Sequence, residues 1–368
     1  MTTDERVQAV VKFGFTERQA RFLVTVMLHS GVCLLRHYTA FAGIVHGQKT
    51  RKFFTKLVRH GYATAYPCRH NRGRVYHVHH KPLYRAIGET DSRLRRPMSA
   101  ARVVERLPLL DALLACPDVV WLATSEEKQV HLSSLGGIRT DEAARLALSE
   151  RVSRPPRGAR HEMPIGIDLA GRWVVVYVVA GGQLEDFHRF LQRRVAVLSV
   201  LPAWTLRIAF PMSHQWLRKQ YEECVRQELA KPWPDLIKRL KWYFEQRRRT
   251  GVDRTPMDDP EKYDEEHFCF HSTRYQVLYD RWLGEGDSAL EVVSSDATAE
   301  AIKRGAGRVE CHVLPFAYRH LSPLLGPARR SPKGAEEGEH SPAPSRPPVG
   351  TSIADSDSSA YSVGITSA

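Results

Sequence analysis

Apolar positions in the first ninety residues recur at helical spacing and predict three helices. Thr16 and Gln19 form a capping box at the start of the first helix, which ends at Ser30-Gly31. The stripe that this helix would bury consists of Ala20, Leu23, Val24 and Met27. The second helix is predicted over residues 35–45 and the third over residues 48–59.

The third predicted helix separates apolar from basic side chains on a helical wheel. Its apolar side comprises Thr50, Phe53, Phe54, Leu57 and Val58. Its opposite side comprises Gln48, Lys49, Lys52, Thr55, Lys56 and Arg59. Long cations reach phosphates, while Gln48 and Thr55 can reach base edges in a DNA major groove. We therefore expect residues 48–59 to form a recognition helix.

A β-hairpin is predicted after the third helix. Its strands cover residues 62–66 and 75–79, and residues 69–74 form the turn, where Asn and Gly supply the unusual backbone angles. Residues 82–87 then pack the hairpin back onto the helices. The arginines expected at its tip, where they would enter a minor groove or contact the DNA backbone, are Arg69, Arg72 and Arg74. Helices and hairpin together predict a winged helix-turn-helix over residues 1–92.

The rest of the chain divides into three parts. Residues 93–160 are predicted to be a helical connector followed by a loose linker. Residues 161–325 alternate strand-like and helix-like patterns, which predicts an α/β domain with neighbouring parallel strands and C-terminal helices. Residues 326–368 are rich in Pro, Ser, Ala and Gly, so we expect a disordered tail. The fold class is therefore an α+β winged helix followed by a small α/β domain.

The strands and helices of the α/β part can be placed from the same patterns. Strands are predicted at residues 165–168, 173–179 and 205–210, with a helix between the second and the third. Two further helices are expected at residues 213–230 and 234–249.

Charge is concentrated at one end of this chain of 368 residues. Residues 1–97 hold 18 Lys and Arg against 5 Asp and Glu, which is the whole net charge of +13. No acidic residue occurs from Arg18 to Gly88. Solvated surfaces usually mix both signs, so this segment indicates a phosphate-binding surface. A membrane would instead require an apolar helix face free for lipid, and these faces are needed for a core.

Cysteine usage and hydropathy indicate a cytoplasmic protein. No apolar segment is long enough for a membrane span, and no signal peptide is recognisable after Asp4, Glu5 and Arg6. The six cysteines lack a C-x-x-C pair, so free thiols in a reducing compartment are expected. No cofactor is predicted, because the sequence lacks a phosphate-cradling Gly-rich loop, and no small-molecule ligand is identified.

Three segments resemble winged-helix DNA-binding proteins of bacterial conjugative and mobile elements, which are similar to the replication-relaxation family of plasmid proteins. These segments are residues 15–22 (FTERQARF), 62–66 (YATAY) and 76–84 (YHVHHKPLY). The resemblance covers residues 10–135 best. It implies a DNA-binding protein that acts in replication, mobilisation or transcriptional control of such an element. Some relatives resemble a restriction-endonuclease-like fold in their C-terminal half.

A nuclease of that type would place a first Asp on one strand and acid-x-Lys on the next, to hold Mg²⁺. Asp168 and Glu162 could supply acids. The following strand, residues 173–179, contains neither an acid nor a lysine. We therefore expect a degenerate domain without a catalytic site, in which Asp168 forms a turn.

Two further features carry alternative predictions. His267, Cys269 and His271 alternate, so one strand face could present three zinc ligands, but no fourth ligand is identifiable and strand packing is the favoured interpretation. Helix 234–249 ends in Arg247-Arg248-Arg249. We interpret it as a core-packed helix with a solvated end, with a second DNA contact as the alternative.

The sequence therefore predicts a non-enzymatic protein that binds double-stranded DNA, with the α/β half mediating self-association or contact with other mobile-element proteins. Two alternatives stay open. One is a metal-dependent DNA-processing nuclease that uses Asp168, and the other is a protein-interaction adaptor whose winged helix does not bind DNA.

Overall fold

The computed structural model describes residues 1–68, 73–133, 164–181, 183–291 and 293–321. The predicted tail from residue 326 and the predicted linker from residue 134 to residue 160 lie outside these ranges. The N-terminal elements are α1 (Thr3–Val11), α2 (Glu17–His29), β1 (Val32–Cys33), α3 (Leu35–Ala42), α4 (Gln48–Arg59), β2 (Ala63–Pro67), β3 (Arg74–Val78) and α5 (Lys81–Ala86).

Local signals explain most of these boundaries. The Thr16 capping box at α2 is present, with both reciprocal hydrogen bonds to Gln19. Helix α3 ends three residues earlier than predicted, because Gly43 adopts a left-handed conformation with φ of 61°. Helix α4 spans residues 48–59 as predicted, and β2 and β3 lie within one residue of the predicted strands.

A three-stranded antiparallel sheet closes this part of the molecule, in the order β1-β3-β2. Strand β1 consists of two residues, Val32 and Cys33, which pair with His77 and Tyr76. The pattern did not predict β1, because two residues show no alternation. It inserts between α2 and α3 and anchors the hairpin to the helices.

The interior of the N-terminal part is rich in aromatic rings. Phe53 and Phe54 of α4 are almost fully buried. The Phe53 ring lies 4.5 Å from that of Tyr38 on α3, and the Phe54 ring lies 4.4 Å from that of Tyr76 on β3. Aromatic pairs at such distances add to the stabilisation from area burial alone. One side of α4 is therefore fixed between the helices and the sheet.

A five-stranded mixed sheet forms the second layer, in the order β4-β5-β6-β7-β8. Its strands are β4 (Val119–Leu122), β5 (Ile165–Asp168), β6 (Trp173–Val178), β7 (Trp204–Pro211) and β8 (Gly307–Leu314). The pairs β6–β7 and β7–β8 are parallel, and β4–β5 and β5–β6 are antiparallel. The predicted parallel neighbours β6 and β7 are confirmed.

The remaining helices of the described residues pack against this sheet or against one another. They are α6 (Ala100–Leu114), α7 (Ser125–Ser133), α8 (Leu184–Val200), α9 (Arg218–Leu229), α10 (Leu236–Arg248), α11 (Pro260–Phe270), α12 (Thr273–Glu285) and α13 (Asp296–Lys303). Helix α8 connects β6 to β7, and its Phe187 and Leu191 are buried in the same core cluster as Trp173 and Trp204 of the sheet. Helices α10, α11 and α12 form a separate aromatic cluster that includes Tyr243, Phe244 and Phe270.

The predicted strand at His267, Cys269 and His271 is wrong. His267 and Cys269 lie on helix α11 and His271 is its C-cap, so i, i+2 spacing no longer places them on one face. His267 accepts or donates a hydrogen bond with the Tyr243 hydroxyl at 2.9 Å. Among the described residues, no group of three or more His, Cys, Asp or Glu is placed to hold a metal ion.

Helix α6 joins the two layers. Val103, Leu107 and Ala112 of α6 pack in one cluster with Val32 and Val75 of the N-terminal sheet. The same cluster contains Val174, Val176 and Ala209 from β6 and β7. The described residues up to residue 321 accordingly pack as one compact unit. Within the described ranges, no helix combines the length and apolar character needed to cross a membrane.

Candidate nucleic-acid interface

The outward side of α4 is polar and cationic, as the wheel predicts. All but one of the predicted contact residues on this helix are exposed, namely Gln48, Lys49, Lys52, Thr55 and Arg59. Within the described part of the chain, none of their side chains makes an ion pair or a hydrogen bond, so they are available to an external partner.

Val58 corrects the predicted apolar side, since it is 42% exposed. At 100° per residue it lies about 80° from Thr50 on the wheel, which is the edge of the buried stripe. Thr50, Phe53, Phe54 and Leu57 are buried as predicted.

Lys56 differs from the other cations of α4 because it is engaged within the protein. Its ammonium group donates to the carbonyl oxygen of Gly14 and lies 4.6 Å from the centroid of the Phe15 ring. These contacts tie α4 to the loop between α1 and α2. A cation over an aromatic face is attracted by the ring quadrupole. Lys56 therefore has a structural task in addition to any contact with DNA.

Arg51 is an exposed cation of α4 that is not among the predicted contact residues. It lies in the first turn of α4. The N-cap residue of this helix is Gly47, which has no side chain to accept a hydrogen bond from the first N–H groups. Unpaired backbone N–H groups and the helix dipole favour anions at such a terminus. The sequence contained an indication of this in the run Lys49-Thr50-Arg51-Lys52, because four consecutive residues on a helix cannot all face inward.

Of the predicted turn at residues 69–74, the structure describes only residues 73 and 74. Arg74 starts β3 and is exposed. Arg69 and Arg72 lie outside the described residues, so their predicted contacts remain predictions.

A groove of about 750 Å³ runs beside the first turn of α4. One wall comes from the N-terminal part and contributes Arg51 and Arg74, together with Tyr76 of β3. The other wall is residues 315–321, which follow β8. The sequence did not indicate this groove, because its walls are more than two hundred residues apart in the chain.

Asp111 of α6 holds the two walls together. Its carboxylate accepts a hydrogen bond from Arg36 at 2.5 Å and from the Tyr318 hydroxyl at 2.8 Å. The His37 Nε2 atom lies 3.2 Å from the same carboxylate. Burial raises the pKa of Asp111, but His37 and Arg36 outweigh it and leave the pKa below its ordinary value. The buried carboxylate thus fixes α3 and residues 315–321 relative to each other.

Asp168 lies at the end of β5 and forms a turn, as expected. Its carboxylate accepts hydrogen bonds from the backbone N–H groups of Ala170 and Arg172, both at 2.9 Å. Glu162, the second acid considered for a nuclease, lies outside the described residues. The adjacent strand β6 has no acid or lysine to complete a metal site.

A thiol, an imidazole and a carboxylate line up in the interior of the α8–α9 pair. Cys224 Sγ lies 3.3 Å from His188 Nε2, and His188 Nδ1 lies 2.8 Å from Glu228. This order resembles the arrangement of a cysteine nucleophile, base and orienting acid. Cys224 and His188 are only 3% exposed, however, and burial with the nearby Glu228 raises the pKa of the thiol to about 12. Arg274 also pairs with Glu228, so the group acts as a buried structural network.

The cations at the end of α10 are paired within the protein. Arg248 contacts Asp253 at 3.5 Å, and Arg249 contacts Asp258. The Arg247 guanidinium lies 4.2 Å from the centroid of the Tyr279 ring. This geometry favours the core-packed interpretation of the helix over a second DNA contact.

No family model, curated protein or solved structure matches this chain. The resemblance to replication-relaxation proteins therefore remains an expectation from residues 15–22, 62–66 and 76–84.

Proposed function

We propose that residues 1–92 form a winged helix-turn-helix that binds double-stranded DNA. Helix α4 lies in the major groove, and the hairpin between β2 and β3 contacts the backbone or the minor groove. The order of helix, short strand, two helices and hairpin in the structure supports this assignment.

The observation that carries the proposal is the outward face of α4. Lys49, Arg51, Lys52 and Arg59 are exposed there and have no carboxylate partner among the described residues. Surface cations of a folded protein commonly have acidic neighbours, as Arg239, Lys241 and Arg248 of α10 do. A row of unpaired cations on a rigid helix matches the regular negative charge of DNA phosphates.

The direct test compares duplex binding of the wild type with a variant that carries Lys49→Ala, Lys52→Ala and Arg59→Ala. Each replaced side chain is exposed, so the fold is retained. We expect the variant to bind at least tenfold more weakly in a fluorescence-anisotropy titration at low salt. The matched control carries Lys219→Ala, Lys231→Ala and Lys238→Ala, which removes the same charge from exposed positions of the C-terminal half.

Equal losses in the two variants would show that net charge, and not the face of α4, determines binding. Absence of duplex binding by the wild type would contradict the proposal and favour the protein-interaction adaptor.

The biological setting of this binding is also a proposal. The resemblance to proteins of conjugative and plasmid elements supports a role in replication, mobilisation or transcriptional control of mobile DNA. The bound partner in each case is duplex DNA, and self-association or another mobile-element protein would engage the α/β half.

A further inference from the structure

We propose that the groove beside the first turn of α4 binds one unpaired nucleotide. Its phosphate lies between Arg51 and Arg74, and its base lies against Phe316. The groove holds about 750 Å³, which is within the range of pockets that bind small ligands. The inference rests on the proposed DNA binding, because a nucleotide of a DNA strand is one source of this ligand. A free nucleotide is the other source.

The charge of the lining selects an anion. Arg51 and Arg74 on one wall, His46 beside them and His320 on the other wall all line the groove. Among the described residues that line the groove there is no Asp or Glu. Arg51 and His46 flank the uncapped N-terminus of α4, which itself favours a phosphate. The two guanidinium groups lie on one wall, and the imidazole of His320 on the other wall can donate a hydrogen bond to an anion held between the walls.

The apolar part of the lining selects a flat ring in addition to the phosphate. Phe316 is 37% exposed, and the guanidinium of Arg36 lies 3.7 Å from its ring centroid. Tyr76, Leu34 and Leu321 complete the apolar surface. Nucleobases stack on aromatic and guanidinium surfaces without regard to sequence. An inorganic phosphate would leave this apolar surface unused, whereas a nucleotide contacts both parts of the groove.

The nucleotide must be unpaired. A base within a duplex is stacked on both sides, so it reaches an aromatic side chain in a pocket only at a strand end, in a gap or after leaving the stack. Arg51 belongs to the groove and to the first turn of α4. A DNA strand that separates from the duplex beside α4 would therefore place its next nucleotide in the groove.

The test compares three probes with the full-length protein. They are a blunt duplex, the same duplex with a short single-stranded extension, and free deoxyadenosine monophosphate as a competitor. We expect the extension to increase affinity about tenfold, as stacking of one base contributes elsewhere. Phe316→Leu should abolish this gain and leave the blunt duplex unaffected, while Phe316→Trp should retain it. Phe268→Leu, at an 80% exposed phenylalanine on α11, is the matched control.

The outcomes separate the two proposals. Competition by the free nucleotide identifies a mononucleotide site, and binding of the extension alone identifies a strand site; both support the groove. Equal affinity for blunt and extended duplexes, with no binding of free nucleotide, would overturn it even if duplex binding holds. A gain that persists in Phe316→Leu would also overturn it. If blunt duplex is not bound but the nucleotide is, the groove stands and the proposed function fails.

Discussion

At the scale of single residues, buried ionisable groups are held in one protonation state. His29, at the end of α2, is buried, and its backbone carbonyl accepts a hydrogen bond from Arg106 at 3.0 Å. Burial lowers the pKa of its imidazole to about 3, and the charges of Lys128, Arg106 and Arg6 contribute to the lowering. The imidazole of the folded protein is therefore neutral above about pH 3.

This neutral state predicts acid sensitivity. Between the ordinary pKa of 6.5 and about 3, the unfolded chain binds a proton at His29 and the folded chain does not. Protonation of His29 therefore does not reduce the free energy of unfolding above pH 6.5. Below that pH, the free energy of unfolding falls as the pH falls towards 3. We expect His29→Gln to reduce the slope of unfolding free energy against pH by about 1.4 kcal/mol per unit, measured by urea unfolding at several pH values.

Leu169→Ala, at an exposed position without an ionisable side chain, is the control and should leave the slope as it is in the wild type. A slope in His29→Gln that matches the wild type would contradict the account.

At the scale of elements, the sequence predicts an element well where local signals decide its limits. Capping at Thr16 and the wheel of residues 48–59 placed α2 and α4 correctly. The α11 helix was missed although Asp259 accepts a hydrogen bond from the N–H of Lys262 and Pro260 follows it. An Asp cap before proline is a helix start signal, and the alternating His and Cys residues outweighed it. The short strands β1 and β4 depend on partners that are distant in the chain.

Helix α6 is the element that connects both layers, so its core residues predict coupled stability. Leu107 is fully buried in the cluster shared with both sheets. We expect Leu107→Ala to cost about 2–5 kcal/mol of unfolding free energy, because it leaves a cavity there. Hydrogen–deuterium exchange should rise together in peptides covering α4 and peptides covering β6.

Leu169→Ala is the matched control, since that leucine is 84% exposed. Faster exchange confined to one of the two layers would show that they are energetically separate.

At the scale of the whole molecule, the distribution of charge can be read from the sequence, whereas the groove cannot. The concentration of cations before residue 97 is visible in the sequence and predicts which part of the chain would contact phosphate. The groove between Arg51 and Phe316 is not visible, because tertiary packing through Asp111 brings its walls together. The candidate DNA residues were therefore mostly predictable, whereas the candidate nucleotide groove needed the structure.

The salt dependence of duplex binding is the most direct test of DNA binding by α4. Each Lys or Arg that contacts a phosphate contributes about 0.9 to the slope of log affinity against log salt. We predict a steep slope for the wild type. It should become shallower by about 3 when Lys49, Lys52 and Arg59 are replaced by alanine, and stay the same in the Lys219, Lys231 and Lys238 control. A wild-type slope near zero, or an unchanged slope in the α4 variant, would contradict DNA binding by this face.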